Sequence, residues 1–518
     1  MALTRRQFLT LMGGSAGAAV LFQACGVPEK ELFIDSPIEM PEDLVSGIDN
    51  WYATVCPYSD TSEGIVVRVM EGRAKKVEGN VDYPVNIGDH SARSEASVQA
   101  LYHPDRISAP LVRTGPRGSG EYSEISWTDA IARLTGALND LDDQGNLDHA
   151  VLVTNPIGGH LGLVVDKFVS ASGCRHLTHE PIETASVRQA IKEVFSQDAY
   201  PDFDINNADL VLSFGADFLS TWVSPTRYSR GYGEFRQGHD HRGKLIHIES
   251  RFSHTAANAD QWVRPNPGTE GILALAIIQE IVSHESPDPS VVDALTGGDP
   301  SWLDSYAPDN VAARTGVEAD VIRHIAHDFS HASHPISVGG GSAAAHSNGL
   351  SAMKAVFSLN HLAGNIGTKG GVILNPVSPL RGVNPVGPGN SFSDFQRLTE
   401  DMQAGNVELL MVRGADPYYG IPKVASFQER LANVPLIVSF SNMMDDTTSV
   451  ADLILPEHNF LEDWGTDVPL AGVGYQTVGF QQPVVRPFFE NRGENLGTKG
   501  FADILLTSAQ VMEKDLGF

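Results

Sequence analysis

Two stretches, LVLSFGAD at residues 210–217 and LLMVRGAD at residues 409–416, repeat one pattern: an apolar strand that ends in Gly-Ala-Asp. An uninterrupted run of this length suits a strand buried on both faces of a parallel sheet. A glycine at the strand's carboxyl end permits a tight turn and close approach of a ligand, and open α/β sheets bind nucleotides at that edge. Each stretch is followed by a further strand with polar groups at its end, Glu249-Ser250-Arg251 and Ser439-Phe440-Ser441. The pair predicts two related half-sites facing one cleft.

Around these anchors the chain alternates strands and helices, which implies parallel sheets with helices on both faces. Predicted strands are 149–154, 208–214, 244–248, 260–263, 336–338, 408–413, 435–440 and 451–456. Ser126…Asp129 reads as a helix cap, with Ile131, Leu134, Leu138 and Leu141 on one face of the helix that follows. Pro267-Gly268-Thr269-Glu270 starts another helix, and residues 376–390, PVSPLRGVNPVGPGN, read as a long loop. Ahead of the α/β region, residues 51–96 form a small β-rich unit, where Ile65, Val67 and Val69 alternate with Val66, Arg68 and Met70 before a Glu71-Gly72 turn. The expected organisation is a leader (1–26), an extended linker (27–50), a β-rich domain (51–118), an α/β domain (119–164 plus 335–518) and an inserted α/β domain (165–334).

Composition narrows the function classes. With 36 basic against 64 acidic residues among 518, the net charge of −28 repels nucleic acid and anionic lipid. The three cysteines, Cys25, Cys56 and Cys174, exclude a disulfide scaffold and any four-thiolate metal site within this chain. At the N-terminus, Thr4-Arg5-Arg6-Gln7-Phe8-Leu9 reads as a twin-arginine export signal. Leu21-Phe22-Gln23-Ala24-Cys25-Gly26 resembles a lipoprotein box, so lipidation of Cys25 is favoured over plain cleavage near Ala24. No later run reaches the ~18–20 apolar residues of a spanning helix.

The motifs in order resemble the molybdopterin oxidoreductases of the dimethyl-sulfoxide-reductase-like group, from about Trp51 to about Arg486. They are Cys56-Pro57-Tyr58, Val77-Glu78-Gly79-Asn80 with Tyr83-Pro84-Val85-Asn86, His103-Pro104-Asp105-Arg106, Ile125-Ser126-Trp127, Pro267-Gly268-Thr269-Glu270, Leu359-Asn360-His361-Leu362-Ala363-Gly364-Asn365, and Ala451-Asp452-Leu453-Ile454-Leu455-Pro456 with Glu462, Gly465 and Thr466. The resemblance implies two pseudo-symmetric doubly wound α/β domains flanking two molybdopterin guanine dinucleotides. It places Gly215, Asp217, Glu249, Glu270, Gly414 and Asp416 on the nucleotide side.

Three departures shape the functional expectation. The family's four-cysteine cluster loop is represented by Cys56, Ser59, Glu63 and Ser91, and one thiolate cannot hold a cubane. The region of the family's metal ligand reads Cys174-Arg175-His176-Leu177-Thr178-His179-Glu180-Pro181-Ile182-Glu183, with Cys174 too early in it. By the resemblance, the family's C-terminal pterin-capping domain is expected to be lacking, because the chain stops at Phe518, soon after the Leu455-Pro456 segment. These features resemble the molybdopterin-enzyme-like half of the large subunit of alternative complex III, a quinol-oxidising membrane assembly. That resemblance implies a cofactor-free extracytoplasmic scaffold, with an iron–sulfur subunit, a polysulfide-reductase-like quinol-binding membrane subunit and c-type haem subunits as partners. The alternative is an active molybdenum bis-guanine-dinucleotide enzyme with its metal ligand at Cys174, His179 or nearby; a soluble nucleotide-binding protein would leave the β-rich unit unexplained. The pair His179-Glu180, the Asp445-Asp446 and Glu457-His458 dipeptides and His247 read as structural groups, Cys56 as a small buried hydrophobe, and no catalytic residue is assigned.

Overall fold

The computed structural model describes residues 47–59, 61–182, 184–237, 242–471, 473–485 and 497–518. The export signal at Arg5 and Arg6, the lipidation candidate Cys25, most of the linker and Glu183 lie outside the described residues.

The β-rich unit comes first. Strands β1 (Asp49–Cys56), β2 (Glu63–Met70) and β3 (Arg73–Gly79) form an antiparallel meander. Ile65, Val67 and Val69 all face inward, as the alternation predicts, and pack with Cys56, Val77 and Leu101 against Phe460 and Leu461.

The larger sheet has seven strands. β4 (Leu111–Arg113) and β5 (Tyr122–Glu124) form its antiparallel edge, and α1 (Trp127–Gln144) follows. Ser126 accepts the Asp129 N–H at the start of α1, and Gly145, at φ 73°, ends it. Ile131, Leu134, Leu138 and Leu141 are the buried stripe of α1. β6 (Ala150–Thr154), α2 (Gly159–Ser172) and β7 (Arg175–Thr178) complete the first half of this sheet.

The inserted unit then builds α3 (Ala185–Phe195), β8 (Asp202–Phe203), β9 (Leu210–Phe214), β10 (Lys244–Ile248), β11 (Gln261–Val263), α4 (Glu270–His284), α5 (Ala319–His331), β12 (Pro335–Gly339), α6 (Gly349–Leu362) and β13 (Val372–Ile373). Its parallel sheet has the order β11-β10-β9-β12. α4 is apolar around most of its circumference because it is buried between α5 and α6.

The chain returns to the larger sheet with α7 (Phe392–Ala404), β14 (Leu409–Arg413), β15 (Leu436–Ser439) and β16 (Leu453–Ile454). That sheet runs β5-β4-β16-β15-β14-β6-β7. The hairpin β17 (Gly465–Asp467) and β18 (Gly479–Gln481) leans on β1, and α8 (Phe501–Val511) packs on α2 and α1. Residues 376–390 carry no helix or strand, as expected of their Pro and Gly content.

The domain limits differ from expectation in three places. Pro335–Gly339 pairs in parallel with Leu210–Phe214, so it belongs to the inserted unit, which runs from about residue 185 to 373 rather than 165 to 334. Arg175–Thr178 pairs instead with β6 of the larger sheet. Leu111–Arg113, expected in the β-rich domain, pairs with β16. A short apolar run shows that it is a strand but not which sheet it joins, and that choice is made by tertiary pairing. Among the described residues no helix is long and apolar enough to cross a membrane.

Candidate functional site

Each parallel sheet has one switch point, where strand order reverses and a crevice opens at the carboxyl ends. In the inserted unit it lies between β9 and β12, and in the larger sheet between β6 and β14. The repeated Gly-Ala-Asp turns, after β9 and β14, sit at these two points. Gly215 and Gly414 adopt φ values of 64° and 63°, a left-handed geometry that only glycine takes without strain.

The close approach that the glycines permit is used within the protein. A Cβ on Gly215 would lie 2.6 Å from the Ala343 nitrogen and 2.7 Å from the Gly340 oxygen. A Cβ on Gly414 would lie 2.4 Å from Asn155 Oδ1. The aspartates turn inward alike. Asp217 Oδ1 accepts hydrogen bonds from the Thr255 N–H at 3.0 Å and its hydroxyl at 2.7 Å. Asp416 Oδ1 accepts from the Thr447 N–H at 3.0 Å and from its hydroxyl. The echo therefore extends to a threonine in the segment after each neighbouring strand. Sequence reading missed Thr255 and Thr447; their signal was a shared position after the next strand, without a shared motif.

The other carboxylates expected on the nucleotide side are also engaged. Glu249 is buried and meets His247 Nε2 at 3.1 Å and the Ser342 hydroxyl at 3.0 Å. Burial pushes its carboxyl up, but hydrogen bonds from His247, Ser253 and Ser342 outweigh this and hold it below the usual value. Glu270, equally buried, accepts from Ser250 Oγ at 3.4 Å. His247 bonds Ser213 and Glu249, which makes it the satisfied core residue expected.

The N-terminus of α2, next to β6, would ordinarily favour an anion. Here the Gly159 N–H donates to the Asn384 carbonyl at 2.8 Å and the His160 N–H to Thr466 Oγ1 at 2.8 Å. Beside it, a cavity of about 270 Å³ is lined by Leu163, Asp166, His176, Thr178 and Asn384. Cys174 stands at the opposite, amino end of β7, buried, its thiol pushed up by burial. It lies five residues from His179 along an extended segment, roughly 16 Å away at about 3.3 Å per residue, so the two cannot ligate one ion. His179 is buried edge-on to Phe395, and burial lowers its pKa. The remaining candidate pairs are structural: Glu457 bonds Arg413, His458 bonds Thr498, and Asp445 accepts the Thr448 N–H.

At the four positions expected to correspond to the family's cluster ligands, the residues do different work. Glu63 is buried, and its carboxylate gathers three donors: the Ser91 N–H at 2.8 Å, the Ser94 hydroxyl at 2.6 Å and the Thr226 hydroxyl at 2.6 Å. Ser91 caps the short helix that begins at Ala92, and Ser59 Oγ is buried without a partner among the described residues. The Cys56 thiol is fully buried and its pKa is pushed up to about 11 by desolvation, so it is protonated at neutral pH. One neutral thiol, two hydroxyls and an engaged carboxylate do not fit an iron–sulfur cluster.

The family model for molybdopterin oxidoreductases matches residues 106–495. The chain belongs to that family. Among its relatives, the menaquinone reductase molybdopterin-binding-like subunit of Nitratidesulfovibrio vulgaris is 28% identical over 98% of this chain and 75% of its own length. The arsenate respiratory reductase molybdopterin-containing subunit of a Shewanella strain is 24% identical over 92% of this chain and 65% of its own length. The fold is shared with acetylene hydratase of Pelobacter acetylenicus, at a TM-score of 0.73 and 18% identity over 89% of this chain and 69% of that one. The expected fold class, two doubly wound α/β units of the molybdopterin-oxidoreductase kind behind a β-rich entrance, agrees with this match. Of the six positions that the family would place against its nucleotides, Gly215, Asp217, Glu249, Glu270, Gly414 and Asp416, each is met by the protein's own atoms.

Proposed function

We propose that this chain is a molybdopterin-enzyme-like subunit without a redox centre of its own, serving a membrane-bound quinone-linked electron-transfer complex. The observation that carries this reading is Glu63. A buried carboxylate holds the three donors that surround the family's cluster position, so the electron entrance is filled by protein. The relative described as a menaquinone reductase molybdopterin-binding-like subunit supports the quinone link.

In this reading the chain is exported through Arg5 and Arg6, tethered by lipid at Cys25 and held at the extracytoplasmic face. It positions an iron–sulfur subunit over a quinol-binding, polysulfide-reductase-like membrane subunit, with c-type haem subunits alongside. Trp51 on β1, Phe480 on β18 and Trp464 beside β17 are exposed, a concentration of aromatic surface that suits docking of another protein.

A second reading, an active enzyme binding molybdopterin guanine dinucleotide with molybdenum, is favoured by relatives described as molybdopterin-containing, among them the arsenate reductase and the thiosulfate reductase of Salmonella typhimurium. Elemental analysis of the purified chain separates the two. Mo, W and Fe far below one atom per chain are expected. Stoichiometric Mo or W overturns the scaffold reading.

A further inference from the structure

On the outer face of the inserted unit, α4 and α5 end side by side. Glu285 is the residue that caps the carboxyl end of α4, its N–H bonded to the Ile281 carbonyl. His327 and His331 lie four residues apart in the last two turns of α5, on one face of the helix. His327 Nδ1 is 3.4 Å from Glu285 Oε1, and His331 Nδ1 is 3.7 Å from Glu285 Oε2. The two imidazole centroids are 4.0 Å apart. One donor atom from each of the three residues falls within 4.8 Å of the other two.

These separations have a natural chemical reading. With metal–ligand bonds of about 2.0–2.1 Å, a tetrahedral ion sets neighbouring donor atoms about 3.3–3.4 Å apart. Two imidazoles and a carboxylate suit zinc, copper and nickel rather than magnesium or calcium. Both helices also present their carboxyl ends here, whose partial negative charge favours a cation. The side chains of His327 and His331 are 60% and 57% exposed, so water can complete the coordination and the rings can turn. His331 Nδ1 also lies 3.0 Å from the His327 carbonyl. Rotation of its ring about Cβ–Cγ moves Nδ1 off that carbonyl and frees it for a ligand without disturbing that helix.

We propose that Glu285, His327 and His331 form a surface binding site for one divalent ion of the zinc class, which clips the carboxyl ends of α4 and α5 together. The ion carries no electrons in this role, so the site is separate from the Mo, W and Fe question.

The test uses the full chain without an affinity tag, stripped with EDTA and titrated with zinc chloride by calorimetry. One saturable equivalent is expected, with a higher melting temperature when zinc is bound. His327→Ala or His331→Ala weakens binding by at least about tenfold, and the double variant abolishes it, since loss even of outer-shell support costs that much. His324→Ala, on the same helix outside the cluster, leaves binding unchanged. As a measurement on the unaltered chain, zinc protects His327 and His331 from carbethoxylation, read by peptide mass spectrometry. Absence of saturable binding, binding that survives in the double variant, or unprotected His327 and His331 overturns the proposal.

Discussion

Replacing Glu63 by alanine tests the idea that this carboxylate has taken over the cluster position. The variant strands three donors: the Ser91 N–H and the hydroxyls of Ser94 and Thr226. Hydrogen bonds to a charged group are worth roughly 1.5–3 kcal/mol each, giving a gross loss of about 5–9 kcal/mol. Two terms reduce it. The hydroxyls can turn towards other acceptors, and the buried charge no longer has to be desolvated. What cannot turn is the Ser91 N–H, and an unsatisfied buried amide costs about 1–3 kcal/mol. A net loss of about 2–4 kcal/mol is therefore expected, which at about 2–4 °C per kcal/mol for a unit of this size lowers the melting temperature by about 4–16 °C. Scanning calorimetry of wild type, Glu63→Ala, Thr226→Val and the double variant measures it. Because Thr226 comes from the inserted unit and Glu63 from the β-rich unit, the cycle also reads how strongly the two are tied. A coupling of about 0.5–3 kcal/mol is expected for groups in contact. A Glu63→Ala loss under about 0.5 kcal/mol, the range of an ordinary surface change, would refute the reasoning.

Arg106 and Glu462 form a two-pronged pair with side chains 2% and 0% exposed, joining the segment after the β-rich unit to the larger α/β unit. Arg106→Ala leaves the Glu462 charge buried and should cost about 3–5 kcal/mol, read as a lowered urea midpoint. Cys56 and Cys174 are buried with thiol pKa values raised by burial, so neither should react with Ellman's reagent at pH 8 until denaturant is added. Burial lowers the pKa of His179, so it is neutral when folded and gains a proton more readily when unfolded. Its contribution is complete above the unfolded value of about 6.5 and is lost as pH falls from there towards the folded pKa. His179→Phe should accordingly lose less stability than wild type between pH 7 and 5 in parallel thermal melts.

Some of this molecule is written locally and can be read directly. Alternation at Ile65, Val67 and Val69 fixes which face of β2 is buried, because successive side chains of a strand point to opposite sides. Ser126 with Asp129 marks the start of α1 because a side-chain oxygen there meets an otherwise unpaired N–H. The Gly-Ala-Asp turns announced two tight strand-end turns, since a positive φ at a strand end needs glycine whatever the ligand. Sheet membership was not legible for Pro335–Gly339 or Arg175–Thr178: the same apolar run can pair with either sheet, and the choice lies in contacts far along the chain.

Glu63 is the sharper case, because its residue type was informative but its meaning was not. Judged as a ligand for iron, a carboxylate in a thiolate's place is only a defect. Judged by its partners, it solves a different problem. The helix start at Ser91 and the hydroxyls around it point donors inward, towards a space that needs negative charge. An iron–sulfur cluster held by four thiolates is anionic and would satisfy them. Without thiolates there, an apolar side chain at position 63 would leave these donors unpaired, whereas glutamate supplies both a charge and acceptors. Ser59 shows the converse, a buried hydroxyl with no hydrogen-bond partner among the described residues. Under the proposed reading the pocket keeps the sign of the family's cluster without its electrons, and the donors of Ser91, Ser94 and Thr226 are the part of the design that only the folded chain reveals.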